Sequence, residues 1–321
     1  MAESLAQYFR DIRLLAALQC FPGEQPYEAQ PPQQPERKAL LLYLGCNVLR
    51  TAHLAKTAAA VLRAMGFDFH AVGGPAYCCG IVHYLQGKRE AARHYAASSL
   101  RHVGAYAPEH VLIWCPSCLE HFDEVVSQEQ TIGFPYEHFT AFVARHLDRL
   151  SFVRRVEKKV ALHYHCGHPQ PEQDWAHTRA ILQAIPGLQY VEIANPPALG
   201  RHCSPKYISR LGQQAWAQHL DEVFRQAAAA GVEVLATIYH SCHRVLCHQE
   251  AAYPFAVVNY ISLLGEALGL DYPDVYKRYR LLGDPEAILA EVQPYVAAHH
   301  LPPEQVRDVL YRTFMPPCAR G

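Results

Sequence analysis

Five cysteines in the first half of the chain stand in three short groups: Cys46, the adjacent pair Cys78 and Cys79 followed by Gly80, and Cys115-Pro116-Ser117-Cys118. Thiolates are soft metal ligands and strong nucleophiles, so such a grouping offers metal binding or redox chemistry. A tetrahedral zinc or an ordinary cubane cluster needs four ligands, and five thiolates fit a larger or irregular iron–sulfur assembly better. The competing reading, five small apolar side chains packed in a core, gives no reason for the grouping.

These cysteines follow a regular pattern of elements. The apolar run ALLLYLGCN at 39 to 47 has strand length and ends in Cys46, and VLIWCPSC at 111 to 118 ends in the second group of two. Both runs recur. VALHYHCGH at 160 to 168 and VLATIYHSC at 234 to 242 repeat them, at offsets of 120 residues for the first anchor and 124 for the later ones. Helix-like segments (52 to 65, 174 to 184) and short strand-like ones (67 to 72, 188 to 193) lie between the anchors, and each copy closes on a helix. Apolar strands alternating with helices predict an α/β fold: two pseudo-symmetric, doubly wound, Rossmann-like halves with parallel sheets, plus N- and C-terminal helical extensions. The expected boundaries are an N-terminal helix and proline-rich linker over 1–38, a first half over 39–155, a second over 156–280 and a helical tail over 281–321. In the tail, Asp284-Pro285 and Pro302-Pro303 predict helix starts. All three cysteine groups of the first half then fall at carboxyl ends of parallel strands, the edge where open α/β sheets bind ligands. Cys115 and Cys118 also open a helix, whose dipole favours thiolate.

The second copy is thinner. Cys166, Cys203 and Cys242 keep their places, but His202 stands at the first position of the pair and Tyr239 at the first position of the CxxC. Cys166, Cys203, Cys242 and His202 are the expected ligands of a second site, holding zinc or a smaller cluster, with His240, His243 and Cys247 near enough in sequence to contribute. The alternative is a relic whose cysteines simply pack.

Composition excludes several other roles. With 29 basic and 30 acidic side chains in 321 residues, no strong field points to nucleic acid. Arg10, Asp11 and Arg13 interrupt the N-terminal apolar stretch and spoil it as a signal-peptide core, and no run suits a bilayer, so a cytoplasmic protein, not an integral membrane one, is expected. Eleven cysteines in that compartment argue for metal or redox use over a disulfide framework. Gly73-Gly74 lacks the lysine or fingerprint of a phosphate loop, and Cys20 and Cys318 lie outside the repeat.

The pattern Cys46, Cys78-Cys79-Gly80, Cys115-Pro116-Ser117-Cys118 closely resembles the cysteine-rich CCG domain of the B-type subunit of heterodisulfide reductase, over roughly residues 39 to 272. The resemblance implies two CCG-domain halves, the second degenerate, and a noncubane [4Fe-4S] cluster held by Cys46, Cys78, Cys79, Cys115 and Cys118. It implies an oxidoreductase component that works on sulfur groups, with a thiol, disulfide or persulfide substrate. A ferredoxin-like C-type subunit and a flavoprotein A-type subunit would bring electrons, since this chain lacks the CxxCxxCxxxCP run of ferredoxins and any flavin or nicotinamide fingerprint. The degenerate second half suits a sulfur-oxidising version of such a complex. The rival reading is an electron-transfer subunit of a lactate, glycolate or succinate dehydrogenase-type assembly without its own substrate; a third is a metal-stabilised scaffold.

Overall fold

The computed structural model describes residues 4–164, 169–193, 203 and 208–315. In the first half β1 (Leu40–Gly45), β2 (His70–Gly73), β3 (His110–Ile113) and β4 (Tyr136–His138) form a parallel sheet in the order β2-β1-β3-β4. All six residues of β1 are buried, which is why it reads as an unbroken apolar run and lies inside the sheet. The connections pass through α1 (Leu5–Ala17) before the sheet, α2 (Ala52–Ala64) between β1 and β2, α3 (Ile81–Leu85) and α4 (Arg89–Gly104) between β2 and β3, and α5 (Pro116–His121) after β3. The strand order reverses between β1 and β3, so the chain leaves β1 on one side and returns on the other. That reversal is the switch point at which ligands enter open α/β sheets.

The second half repeats this topology. Strands β5 (Lys159–His163), β6 (Gln189–Tyr190), β7 (Val234–Thr237) and β8 (Ala256–Asn259) pair in parallel in the order β6-β5-β7-β8. Leu40 pairs with His110 in one sheet and Val160 with Val234 in the other, reproducing the offsets of 120 and 124 read from the sequence. The fold is thus α/β with two similar parallel-sheet halves.

Two compact units emerge: Met1–Ala59 with Phe67–Phe139 and Asp274–Gly321, and Ala60–Gly66 with Thr140–Pro273. The first unit gathers both chain ends. Asp11, on the buried face of α1, receives two hydrogen bonds from Arg312 at 2.9 and 3.2 Å. The C-terminal helices begin where proline and aspartate indicated, with the Asp284 carboxylate accepting from the Glu286 and Ala287 N–H groups and Pro303 opening the helix that runs to Phe314. Within the proline-rich linker, Glu28 pairs in parallel with Val72 and exchanges backbone hydrogen bonds with Ala71 and Gly73 at 2.8 and 3.1 Å. Its carboxylate accepts from the Tyr106 hydroxyl and meets His70 at 2.8 Å. The linker therefore covers the open edge of β2, a place that would otherwise invite pairing with another chain. No helix among the described residues is long and apolar enough to cross a membrane.

Candidate functional site

The switch point of the first sheet holds the five cysteines, each placed by a short backbone device. At the end of β1 the register against β2 shifts between Tyr43 and Gly45, a bulge that re-aims the chain. Gly45 then takes φ +71°, and a side chain there would meet Cys118 Sγ at 3.0 Å and the Cys115 Cβ at 3.3 Å. Only glycine lets the backbone before Cys46 lie this close to two other cysteines. After β2 a single turn, Pro75–Tyr77, delivers Cys78 and Cys79, and Gly80 at φ +93° caps α3. After β3 Cys115 precedes Pro116, the first residue of α5, with Cys118 in the first turn and its N–H bonded to the Cys115 carbonyl at 3.0 Å. Beyond His121 the same helical run loosens into a π-helical turn, Phe122–Val126, a distortion that accompanies functional sites in many helices.

None of the five cysteines is in a disulfide, and all are buried. They touch in a continuous series, Cys46 to Cys78, Cys78 to Cys79, Cys79 to Cys118 and Cys118 to Cys115. Cys78 is the acceptor of the set: the Cys46 and Cys79 thiols donate to it and the Gly80 N–H approaches at 3.4 Å, so it is held well below the ordinary cysteine range. Cys46 is pushed well above that range by its bond to Cys78 and by burial, and Cys118 by its bonds to Cys115 and Cys79 and by burial. At Cys79 the bond from Cys118 favours thiolate, but the bond to Cys78 together with burial outweighs it. A buried set of this kind tolerates little negative charge by itself, and several thiolates can coexist there only beside compensating cations. In donor type, number, burial and contact the five residues fit a multi-iron cluster.

The surroundings contain residues that the sequence did not single out. The Tyr43 hydroxyl donates to the Tyr77 carbonyl and lies 3.2 Å from Ser99 Oγ, fully buried among Cys79, Cys115 and Cys118. It locks the Cys78 turn to β1. His83 and His121 are buried within electrostatic reach of Cys78; burial lowers the affinity of both rings for a proton, against the pull of that sulfur.

In the second half the expected ligands divide. Cys203 and Cys242 are buried with their sulfurs 3.3 Å apart, whereas Cys166 and His202 lie outside the described residues. The third member of the group is His163, the last residue of β5, whose ring comes within 4.8 Å of both sulfurs. His240, His243 and Cys247 are buried but do not join this group. Tyr239, at the position of Cys115, turns its hydroxyl to Asp174 at 2.7 Å, and Asp174 also accepts from Thr140 at 3.1 Å.

Comparison with known proteins bears on the first site. Residues 40–123, which contain all five cysteines, match the cysteine-rich domain family CCG. The chain is 26% identical over 253 residues to the D subunit of dihydromethanophenazine:CoB--CoM heterodisulfide reductase from Methanosarcina barkeri, covering 73% of this chain and 60% of the relative. It is likewise 26% identical over 254 residues to the protein of that name in Methanosarcina mazei, covering 74% and 61%. The chain thus spans about three fifths of the length of these relatives. A crystal structure of a hypothetical protein from Helicobacter pylori shares the fold, with a TM-score of 0.54 at 12% identity over 84% of this chain and 55% of that one.

Proposed function

We propose that this chain, a CCG-domain protein of the heterodisulfide-reductase-like family, is the iron–sulfur subunit of such a complex, in the B-type role. In this reading Cys46, Cys78, Cys79, Cys115 and Cys118 hold a noncubane [4Fe-4S] cluster that serves thiol, disulfide or persulfide redox chemistry. The observation that carries it is the unbroken series of five buried thiols at the switch point of one sheet. When bound, such a cluster supplies electrons one at a time next to iron that can take a sulfur ligand. The chain's own residues prepare the place. The bulge at Gly45 and the left-handed turn at Gly80 let three loops approach, Tyr43 ties the Cys78 turn to β1, and Phe122 and Tyr77 belong to the buried apolar core around the thiols. Cys46 and Cys115 retain 5% and 6% exposure against 0–2% for the other three, so a substrate sulfur would approach along their edge. Electrons would come from a ferredoxin-like C-type subunit and a flavoprotein A-type subunit, in the cytoplasm, where thiols stay reduced.

The low exposure of all five cysteine residues also supports a second reading, an electron relay in a lactate, glycolate or succinate dehydrogenase-type assembly with no substrate of its own. Titrating the anaerobically reconstituted full chain with a small thiol separates the two. The catalytic reading expects the paramagnetic spectrum of the cluster to shift with saturable dependence on thiol. A spectrum unchanged at millimolar thiol, with electron transfer intact, would leave the relay.

A further inference from the structure

We infer that the second half binds one zinc ion through His163, Cys203 and Cys242. The ring of His163 and the two sulfurs lie within 4.8 Å of one another, and all three residues are buried. The sulfurs stand 3.3 Å apart, far beyond the length of a disulfide, about 2.05 Å. Two sulfurs at about 2.3 Å from a tetrahedral zinc are separated by about 3.8 Å, so the trio reaches zinc geometry by an outward shift of about half an ångström.

Charge points to the same metal. Two thiolates and a neutral imidazole balance a divalent cation, leaving no net charge in a buried site. On binding, each thiol releases its proton, so one zinc ion replaces two protons. The topology explains why the site departs from that of the first half. His163 occupies the place of Tyr43, since both sit in register with the last residue of the neighbouring strand, Thr237 and Ile113. In the first half that position carries a hydroxyl that ties the Cys78 turn to β1; in the second it carries the imidazole ring beside the two sulfurs. Tyr239 replaces Cys115 and is engaged by Asp174. In the sequence Cys78 and Cys115 give way to His202 and Tyr239, and among the described residues Cys203 and Cys242 are joined by one imidazole nitrogen, from His163, a Cys-Cys-His set that suits zinc better than a multi-iron cluster.

This site stands independently of the iron cluster, and metal analysis distinguishes the two. After anaerobic purification and exposure to zinc chloride with a competing chelator, the full chain should retain one zinc. His163→Gln and Cys242→Ser should each weaken zinc retention about a hundredfold while leaving iron content unchanged, whereas Cys79→Ala should lose iron and keep zinc. X-ray absorption at the zinc edge of the unaltered protein, which does not depend on any variant folding, should show sulfur and imidazole donors together. The inference is overturned by undiminished zinc affinity in His163→Gln, by a zinc environment lacking imidazole, by iron lost on Cys242→Ser, or by a Cys203–Cys242 disulfide in the purified protein.

Discussion

Replacing Cys79 by alanine is expected to remove most of the iron from the reconstituted protein, from the proposed four atoms per chain to fewer than about one. Cys79 is the middle member of the series, between Cys78 and Cys118, and is fully buried. Its loss breaks the series into two pairs, neither of which can hold a four-iron assembly. The folding cost is modest, because removing one buried sulfur leaves a small cavity worth about 1–2 kcal/mol, within reach of an otherwise folded chain. Cys20→Ala is the matched control. Cys20 is equally buried but lies outside the series, so its removal should leave iron content and spectrum unchanged. Iron and acid-labile sulfide assays with the visible spectrum check both. Full iron in Cys79→Ala would refute the ligand assignment.

Gly80→Val has the largest expected effect on stability. At φ +93° an L side chain is strained, and its Cβ would stand 2.4 Å from the Ala92 carbonyl oxygen in α4, a backbone atom that moves only with its helix. Strain and clash together cost roughly 3 kcal/mol or more, a fall in melting temperature of roughly 6–12 °C for a domain of this size. Because the pair Cys78 and Cys79 directly precedes the displaced residue, iron retention should fall too. Gly87→Ala separates the two causes. Gly87 takes φ +75° with nothing within 4 Å of an added Cβ, so it carries the strain without the clash and should shift melting by only a few degrees. Equal shifts in both variants would show that contact with α4 is not what holds the turn after the cysteine pair.

Much of this was legible in the chain itself, for a physical reason. A buried parallel strand must be apolar throughout, so β1, β3, β5 and β7 show as runs such as LLLYLG and VLAT, and a repeat of such runs fixes a repeat of the sheet. Cysteines that end those runs must reach the carboxyl edge, so the first site follows from strand assignment. The bulge at Gly45, the covered edge at Glu28 and the tie from Tyr43 to Tyr77 were not legible, because each depends on pairing between segments far apart in the chain. His163 was not legible for the same reason. In a chain with 20 histidines nothing local marks it, and its meaning appears only when β5 brings it to the sulfurs of Cys203 and Cys242. Sequence spacing favoured His202 as the ligand beside Cys203, and that residue lies outside the described part of the chain.

Anomalous diffraction at the iron edge, from crystals of the anaerobically reconstituted full chain, locates the metal atoms that the five thiols of the first half are proposed to share. The expected map shows four iron atoms among the sulfurs of Cys46, Cys78, Cys79, Cys115 and Cys118, with all five sulfurs bound. A single metal atom, a cluster bound by only four of these sulfurs, or iron located instead beside Cys203 and Cys242 would contradict that sharing.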